Sequence, residues 1–223
     1  MPHHDENPNQ AAADNPTRLR LRPRPLGAAG LDAAPAEVYK DDPRSKVWRV
    51  EHTALGPVVV KQFVYRPIRQ RLSLAVGVHP AQLELARNHQ LAQAGVPVVP
   101  IIDCGEERAG LGGRAWLATP VMGASLQRLL TDDACGEART AELIDSAAAL
   151  TRRLLDAGYT FKDLKPSNVV VDDAGVMRLI DVGSARPDTS KKQALRMLAV
   201  MDRVLKRDGV GRAMRERYRD AVG

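Results

Sequence analysis

The stretch from Tyr159 to Gly183, YTFKDLKPSNVVVDDAGVMRLIDVG, constrains the fold of this chain more than any other part of its sequence. It contains two apolar or β-branched runs, at 169–171 and 176–180, separated by Asp172-Asp173-Ala174-Gly175. Short runs of this kind around a turn of Asp and Gly predict a β-hairpin. The hairpin would return Asp181, which follows it, to the side of Asn168, which precedes it.

Four polar residues around this hairpin have a spacing that suits one kind of chemistry. Asp163 and Asn168 lie five positions apart, so a single loop can direct both side chains to the same point. In phosphoryl transfer, one carboxylate orients the attacking hydroxyl and accepts its proton, while an amide and a second carboxylate hold Mg²⁺. The pattern predicts Asp163 and Lys165 as catalytic residues and Asn168 and Asp181 as metal ligands.

This pattern resembles the catalytic loop and metal-binding turn of the protein-kinase-like superfamily, H-R-D-L-x-x-x-N followed by D-F-G. The Asp, Lys, Pro and Asn of the loop are present, whereas Phe161, Lys162 and Val182 replace the family's His, Arg and Phe. The resemblance implies a kinase that uses ATP and Mg²⁺. A nucleotide-binding pseudokinase is an alternative, favoured by Phe161 and Val182. Chance acidic residues on a surface turn are a weaker explanation of the match.

An apolar strand predicted at Val58–Phe63, VVVKQF, contains a single lysine, Lys61. An ammonium group in such a strand requires a partner, because burial of an unpaired charge is costly. Glu84 is the only acidic residue of the next predicted helix, Pro80 to Ala94. The resemblance implies that Lys61 contacts the α- and β-phosphates of ATP and that Glu84 pairs with it. Outward-facing Lys and Glu side chains are the alternative.

Three further residues are predicted to contact the nucleotide. The chain has no G-x-G-x-x-G loop, and Ser45, at the start of a strand predicted over Ser45–Glu51, is the candidate to cover the phosphates. A strand at Arg114–Val121 is expected to run into the hinge that binds adenine in this superfamily. Aligning TPVMGASL with that hinge places Pro120 where a carbonyl acts and Met122 where an N–H is required, which is consistent because proline lacks the N–H.

The remaining elements indicate a small C-terminal lobe. Gly95–Ile102 is expected to lead into another strand, and helices are predicted at Ser125–Leu130, Thr140–Ala157, Gln193–Lys206 and Arg212–Ala221. The fold class expected is α+β, a compact bilobal protein-kinase-like fold with a β-rich N-lobe and a reduced helical C-lobe. The expected boundaries are a disordered or poorly ordered segment at 1–37, an N-lobe at 38–120, a C-lobe at 121–207 and a basic tail at 208–223.

Within the superfamily, the chain most resembles the bacterial lipopolysaccharide kinases over residues 38–207. The similarity rests on VVVKQF at 58–63, on LAQAGVPVVP at 91–100 and on LIDVGSAR at 179–186, followed by a basic helix. It implies transfer of the γ-phosphate to a hydroxyl of a core sugar, Kdo or heptose. A compact atypical serine/threonine protein kinase of the RIO type, favoured by Lys165-Pro166, is the alternative. Aminoglycoside- or choline-type kinases usually carry a longer C-terminal acceptor domain than this chain allows.

Composition and the N-terminal sequence indicate the cellular compartment in which the protein is expected. Hydrophobic residues make up 44% of the chain, but no apolar run is long enough for a membrane span. The first ten residues, MPHHDENPNQ, lack the features of a signal peptide. Cys104 and Cys135 have no metal-binding spacing and are expected to be free thiols with a packing role. These features predict a cytoplasmic protein, peripheral on the inner membrane if the basic segments bind it.

The net charge of +6 is concentrated at the C-terminus. Residues 186–223 contain eleven Lys and Arg against five Asp and Glu, and a second cluster comprises Arg18, Arg20, Arg22 and Arg24. Such segments attract anionic lipids or phosphorylated substrates, or they act only as solvated helix faces. Nucleic acid is not an expected partner, because no aromatic residue lies among the N-terminal arginines to stack on bases. We expect the C-terminal segment to bind an anionic membrane surface.

Overall fold

The computed structural model describes residues 35–43, 45–52, 56–65, 80–109 and 112–223. Most of the predicted disordered segment 1–37 lies outside these residues. Within these residues the chain forms ten strands: β1 Glu37–Asp41, β2 Ser45–His52, β3 Gly56–Tyr65, β4 Asp103–Ala109, β5 Gly112–Pro120, β6 Ala124–Ser125, β7 Tyr159–Phe161, β8 Val169–Val171, β9 Met177–Leu179 and β10 Ala185–Pro187. Five helices accompany them: α1 Pro80–Gln93, α2 Leu126–Leu130, α3 Glu137–Asp156, α4 Lys191–Arg207 and α5 Arg212–Val222.

The N-terminal part of the described chain is an antiparallel sheet with the order β1-β2-β3-β5-β4. Successive side chains of a strand point to opposite faces, and both faces of this sheet are apolar. Trp116 and Ala118 of β5 join a cluster on one face. Ala115 and Leu117 pack on the other face, against Ala81 of α1. The sheet therefore holds α1 against one face through alternate residues of β5.

Strand pairing also determines the direction of Lys61. Its Cα pairs with that of Leu117, and paired residues of adjacent strands point to the same face. Because Leu117 packs in the cluster with Ala81 on α1, Lys61 points toward the same helix. The apolar pattern of β3 thus carries one cation to the helix that contains Glu84.

The C-terminal part is built on the amphipathic helix α3. Its buried residues recur at helical spacing and face one large core, and include Leu143, Ile144, Ala147, Leu150 and Leu154. The helix begins at Glu137, three residues before the predicted start, and ends at Asp156 beside Gly158, which has a positive φ of 79°. That glycine turns the chain into β7 and toward the loop that contains Asp163.

The structure corrects the expected basic tail at residues 208–223. Residues 212–222 form α5, in agreement with the helix predicted there, but this helix is part of the C-terminal core. Tyr218 is fully buried, and its hydroxyl lies 2.7 Å from that of Thr151 on α3. The charge of this segment suggested a solvated appendage, whereas its two buried residues, Tyr218 and Val222, lie one helical turn apart and belong to the C-terminal core.

Other elements lie close to their predicted positions. The segment before β4 contains Pro97 and Pro100, which lack the N–H of a regular strand, so the strand itself begins at Asp103. No described helix has both the length and the apolar character needed to cross a membrane. The structure is therefore a mixed α+β arrangement of antiparallel sheets and five helices over the described residues.

Candidate active site

The loop after β7 holds Asp163 and Asn168 through a direct hydrogen bond. A single 3₁₀ turn at Pro166–Asn168 ends the loop, and the buried side chain of Asn168 folds back so that Nδ2 donates to the backbone carbonyl of Asp163 at 2.9 Å. The amide nitrogen is occupied by this bond, so Oδ1 is the atom that remains for a ligand. An amide oxygen is a suitable donor for Mg²⁺.

The hairpin β8–β9 brings Asp181 to Asn168 as the sequence predicted. Val169 pairs with Leu179, and Ile180 N–H donates to the carbonyl of Asn168 at 3.0 Å. Asp172 stabilises the turn, because its carboxylate accepts from the N–H groups of Ala174 and Val176. The pairing therefore brings Asp181, the residue after Ile180, back to the level of Asn168, and both residues line the same cleft.

Asp181 has an unusual backbone conformation. Its φ is 58°, which makes it the one non-glycine residue with positive φ among those the structure describes. This left-handed conformation is unfavourable for residues other than Gly, although Asp and Asn tolerate it best. Strained backbone of this kind tends to occur at functional sites, where the surrounding structure imposes it. The strain at Asp181 is consistent with a functional role for its carboxylate.

Lys61 links the N-terminal sheet to both α1 and the hairpin. Its ammonium lies 2.7 Å from Glu84 Oε2 and also contacts Asp181 Oδ1. The ring of Phe63, two residues along β3, has its centroid 5.0 Å from the same ammonium, which is within range of a cation–π interaction. The ion pair expected between Lys61 and Glu84 is present, and a second carboxylate shares the cation.

Burial gives Glu84 and Lys61 unusual proton affinities. Glu84 is 9% exposed, and desolvation raises the pKa of its carboxyl to about 7, although the nearby Lys61 ammonium acts in the opposite direction. Burial on its own lowers the pKa of Lys61, but the charges of Glu84 and Asp181 outweigh it, so the pKa is raised. Lys61 therefore remains a cation and supplies the positive charge of the site.

A single cleft of about 340 Å³ contains the predicted polar residues. Its lining includes all six of those assigned to phosphate positioning, metal binding and catalysis: Lys61, Glu84, Asp163, Lys165, Asn168 and Asp181. They come from β3, α1, the loop after β7 and the end of the hairpin. The lining therefore joins two ammonium groups, an amide and three carboxylates from four separate segments of the chain.

The three other predicted nucleotide contacts do not line this cleft among the residues that the structure describes. Ser45 starts β2 beside Phe63, and its hydroxyl accepts from Lys40 Nζ at 3.0 Å. Pro120 ends β5, and Met122 lies in the segment that connects β5 to β6. The phosphate role of Ser45 and the adenine roles of Pro120 and Met122 remain predictions.

One residue of the cleft, Ser184, and one glycine outside its lining, Gly123, were not predicted from the sequence. Ser184 lines the cleft, and its buried Oγ has no hydrogen-bond partner among the described residues. Gly123 lies in the β5–β6 connection, where a Cβ would overlap the carbonyl oxygen of Val171. The only signal for Ser184 in the sequence was its position directly after Asp181-Val182-Gly183. The requirement for glycine at 123 arises from a contact between segments that are distant in sequence.

Two of the three departures from the kinase loop pattern, Phe161 and Val182, are apolar core residues. Phe161 is fully buried, and its backbone N–H donates to Met197 Sδ on α4 at 3.3 Å. Val182 is 1% exposed and belongs to the same core. Both side chains pack the loop from behind, so their replacement of the family's His and Phe leaves the polar groups of the cleft in place.

Comparison with known proteins gives a match to one protein family. A family model for the lipopolysaccharide kinase (Kdo/WaaP) family matches residues 37–218, while no curated protein matches the chain. The match covers both parts of the described structure, including α5 as far as Tyr218. Members of this family are kinases, phosphotransferases that act on a hydroxyl acceptor of the lipopolysaccharide core. The chain belongs to the lipopolysaccharide kinase (Kdo/WaaP) family.

Proposed function

We propose that this kinase transfers the γ-phosphate of ATP to a hydroxyl of Kdo or heptose in the lipopolysaccharide core. The proposal rests on one observation, that six polar residues line a single cleft. They are Lys61, Glu84, Asp163, Lys165, Asn168 and Asp181. The two-part arrangement, with a sheet and α1 on one side of this cleft and the helices on the other, supports a bilobal protein-kinase-like fold.

Lys61 would bind the nucleotide phosphates. Its raised pKa keeps it charged, and Glu84 holds it from the buried side of the cleft. The contact of Lys61 with Asp181 balances the charge of the ammonium group. Phosphate oxygens would take the place of Asp181 around the ammonium, since both are anionic hydrogen-bond acceptors.

Asp181 and Asn168 would hold Mg²⁺. The donor set fits this ion, because it supplies a carboxylate and an amide oxygen whose nitrogen is already bonded to the loop. When bound, Mg²⁺ neutralises charge on the phosphates of the nucleotide. The structural role of this chain is to place both oxygen donors on the two ends of one hairpin.

Asp163 would orient the acceptor hydroxyl and accept its proton. The oxygen then forms a bond to the γ-phosphorus while the bond to the β-phosphate oxygen breaks, which releases ADP. Lys165, two residues further along the loop, would stabilise negative charge on the transferred group. Exposure of Asp163 in the cleft allows a large acceptor to reach it.

The acceptor can be identified with radiolabelled ATP. We expect label from [γ-³²P]ATP to enter lipopolysaccharide, and chemical release of the core sugars would show whether Kdo or heptose carries it. A second reaction with total cell protein tests the alternative acceptor. Label in a protein band with none in the lipopolysaccharide fraction would contradict the proposal and favour the RIO-like alternative.

For location, we propose that the protein works in the cytoplasm at the inner membrane, where a lipid-linked acceptor would be encountered. Support comes from the acceptor class of the family and from the excess of basic residues after position 186. Fractionation of cells that express the protein tests this proposal. Recovery in the soluble fraction at low ionic strength, with none on the inner membrane, would contradict it.

A further inference from the structure

We propose that the exposed face of helix α4, rather than the segment 208–223, docks the kinase on an anionic lipid bilayer. This inference rests on the proposed function, because only a lipid-linked acceptor makes such docking useful. Six residues define what we call the cationic face of α4: Lys192, Leu195, Arg196, Ala199, Arg203 and Lys206. All six are exposed, and their spacing of three and four positions places them on one side of the helix.

The arginines of α5 are already neutralised within the protein. Arg215 pairs with Asp202 on α4 at 3.1 Å, and Arg217 pairs with Asp145 on α3 at 2.5 Å. Arg212 lies 2.7 Å from Glu216, and Arg219 lies 3.9 Å from the same carboxylate. The positive charge of 208–223 is therefore largely balanced locally, which makes that segment a poor site for anionic lipid.

The cations of the cationic face are free by comparison. Among the described residues, Lys192, Arg196, Arg203 and Lys206 form no ion pair, and the face itself contains no acidic residue. Lys192 also lies in the first turn of α4, where the helix dipole disfavours a cation. The helix therefore maintains unbalanced positive charge at some cost to its own stability. Such a surface is complementary to anionic headgroups.

Leu195 favours lipid over nucleic acid as the partner. It is a large apolar side chain, yet it is 56% exposed in the middle of cations. A basic helix face with an apolar residue suits the headgroup boundary of a bilayer. The face contains no aromatic side chain on which nucleic-acid bases could stack. Seventeen residues give α4 a length of about 25 Å, so it can lie along the surface.

The opposite side of α4 is joined to the catalytic loop. Met197, Met201 and Leu205 are buried in the C-terminal core. Met197 Sδ accepts the N–H of Phe161, two residues before Asp163. A bilayer that holds the cationic face would therefore also fix the distance from the lipid surface to Asp163. Docking through α4 would limit the acceptors to sugars attached close to the membrane.

The test measures binding of the full chain to vesicles by co-sedimentation, without ATP or acceptor. Vesicles contain about 30% phosphatidylglycerol in phosphatidylcholine, and control vesicles contain phosphatidylcholine alone. The test variant is Lys192→Gln/Arg196→Gln/Arg203→Gln/Lys206→Gln. The matched control, Arg139→Gln/Arg212→Gln/Arg217→Gln/Arg219→Gln, loses the same number of charges from ion-paired arginines. Circular dichroism establishes that both variants fold.

We expect the wild type to bind the anionic vesicles and to release them as NaCl rises from about 0.05 to about 0.5 M. Loss of the four cations should weaken binding by more than about tenfold, because each basic residue near an anionic lipid surface contributes to the binding free energy. The control variant should bind within about threefold of the wild type, since its arginines are already paired. Leu195→Ser should weaken binding by a smaller factor.

Three outcomes would overturn the inference. The first is a wild type that does not bind anionic vesicles at low salt, and the second is equal weakening in the test and control variants. The third is unchanged vesicle binding in the test variant together with loss of RNA binding, which a filter-binding assay on the same proteins measures in parallel. None of these outcomes depends on phosphate transfer, so failure of the docking surface is distinguishable from failure of the proposed kinase reaction.

Discussion

Lys61 Nζ lies 2.7 Å from Glu84 Oε2, which connects β3 to α1 across 23 positions of the chain. Both side chains are largely buried, with side-chain exposures of 20% and 11%. Removing one member of a buried pair leaves the other charge without its partner, which is costly in a poorly solvated site. The position of the Lys61 ammonium in the cleft therefore depends on Glu84.

Substitution Glu84→Gln should reduce kcat/KM for ATP by about tenfold or more, because the neutral amide no longer holds Lys61 against α1. Steady-state kinetics with varied ATP measures this effect. Glu107→Gln is the matched control, since Glu107 pairs with Arg114 at the same 2.7 Å outside the cleft. Equal losses of activity in the two variants would show that the Lys61–Glu84 pair has no special role.

Substitution Asn168→Ala should raise the Mg²⁺ concentration required for half-maximal rate by about tenfold or more. The change removes an oxygen donor and also the hydrogen bond that holds the carbonyl of Asp163. Titration of activity with Mg²⁺ at saturating ATP gives the comparison, with the neighbouring Ser167→Ala as control. An unchanged Mg²⁺ dependence in Asn168→Ala would exclude Asn168 as a metal ligand.

Substitution Tyr218→Ala should lower the free energy of unfolding by about 3–5 kcal/mol, because it empties a fully buried site between α5 and α3. Tyr218→Phe should cost only about 1 kcal/mol. Thr151 already donates to the carbonyl of Ala147 at 2.8 Å, so the lost bond is the one that Tyr218 donates to Thr151. Urea denaturation distinguishes these values. If Tyr218→Ala unfolds at the same urea concentration as the wild type, α5 contributes nothing to the stability of the core.

Substitution Gly123→Ala should destabilise the protein by about 1–3 kcal/mol, because the new Cβ would overlap the carbonyl oxygen of Val171 on β8. Neither backbone segment can move freely, since β6 and β8 are paired beside this contact. Gly136→Ala is the control: no atom lies within 4 Å of the point that its new methyl group would occupy, and its φ of −64° suits alanine. Equal shifts of the unfolding temperature in the two variants would show that the contact with Val171 does not restrict the side chain at position 123.

Local pattern was sufficient to predict much of the site. The hairpin that joins Asn168 to Asp181 follows from two apolar or β-branched runs around the turn at 172–175, DDAG, and Lys61 was recognisable as the only charged residue in an apolar strand. The pairing of Lys61 with Glu84 required the resemblance to a known family in addition. Its physical basis, the shared face of Lys61 and Leu117, depends on the register of β3 and β5.

Contacts between distant segments were beyond prediction from the sequence. The need for glycine at 123 arises only when the β5–β6 connection meets β8. The docking of α5 depends on Tyr218 reaching Thr151, 67 positions earlier, whereas net charge suggested an exposed tail. Charge counts over residues 186–223 also did not distinguish α4 from α5, because a sequence does not reveal which arginines find carboxylate partners in the fold.

We propose that Asp163 and Asp181 perform the chemistry in a site that binds ATP. The most direct measurement compares ³²P transfer from ATP to lipopolysaccharide by the wild type, Asp163→Asn and Asp181→Asn, with ATP binding measured in parallel. We predict that Asp163→Asn loses transfer by about a hundredfold or more while it still binds ATP, and that Asp181→Asn loses Mg²⁺-dependent binding as well as transfer. Transfer at the wild-type rate in either variant would contradict the role proposed for the substituted aspartate.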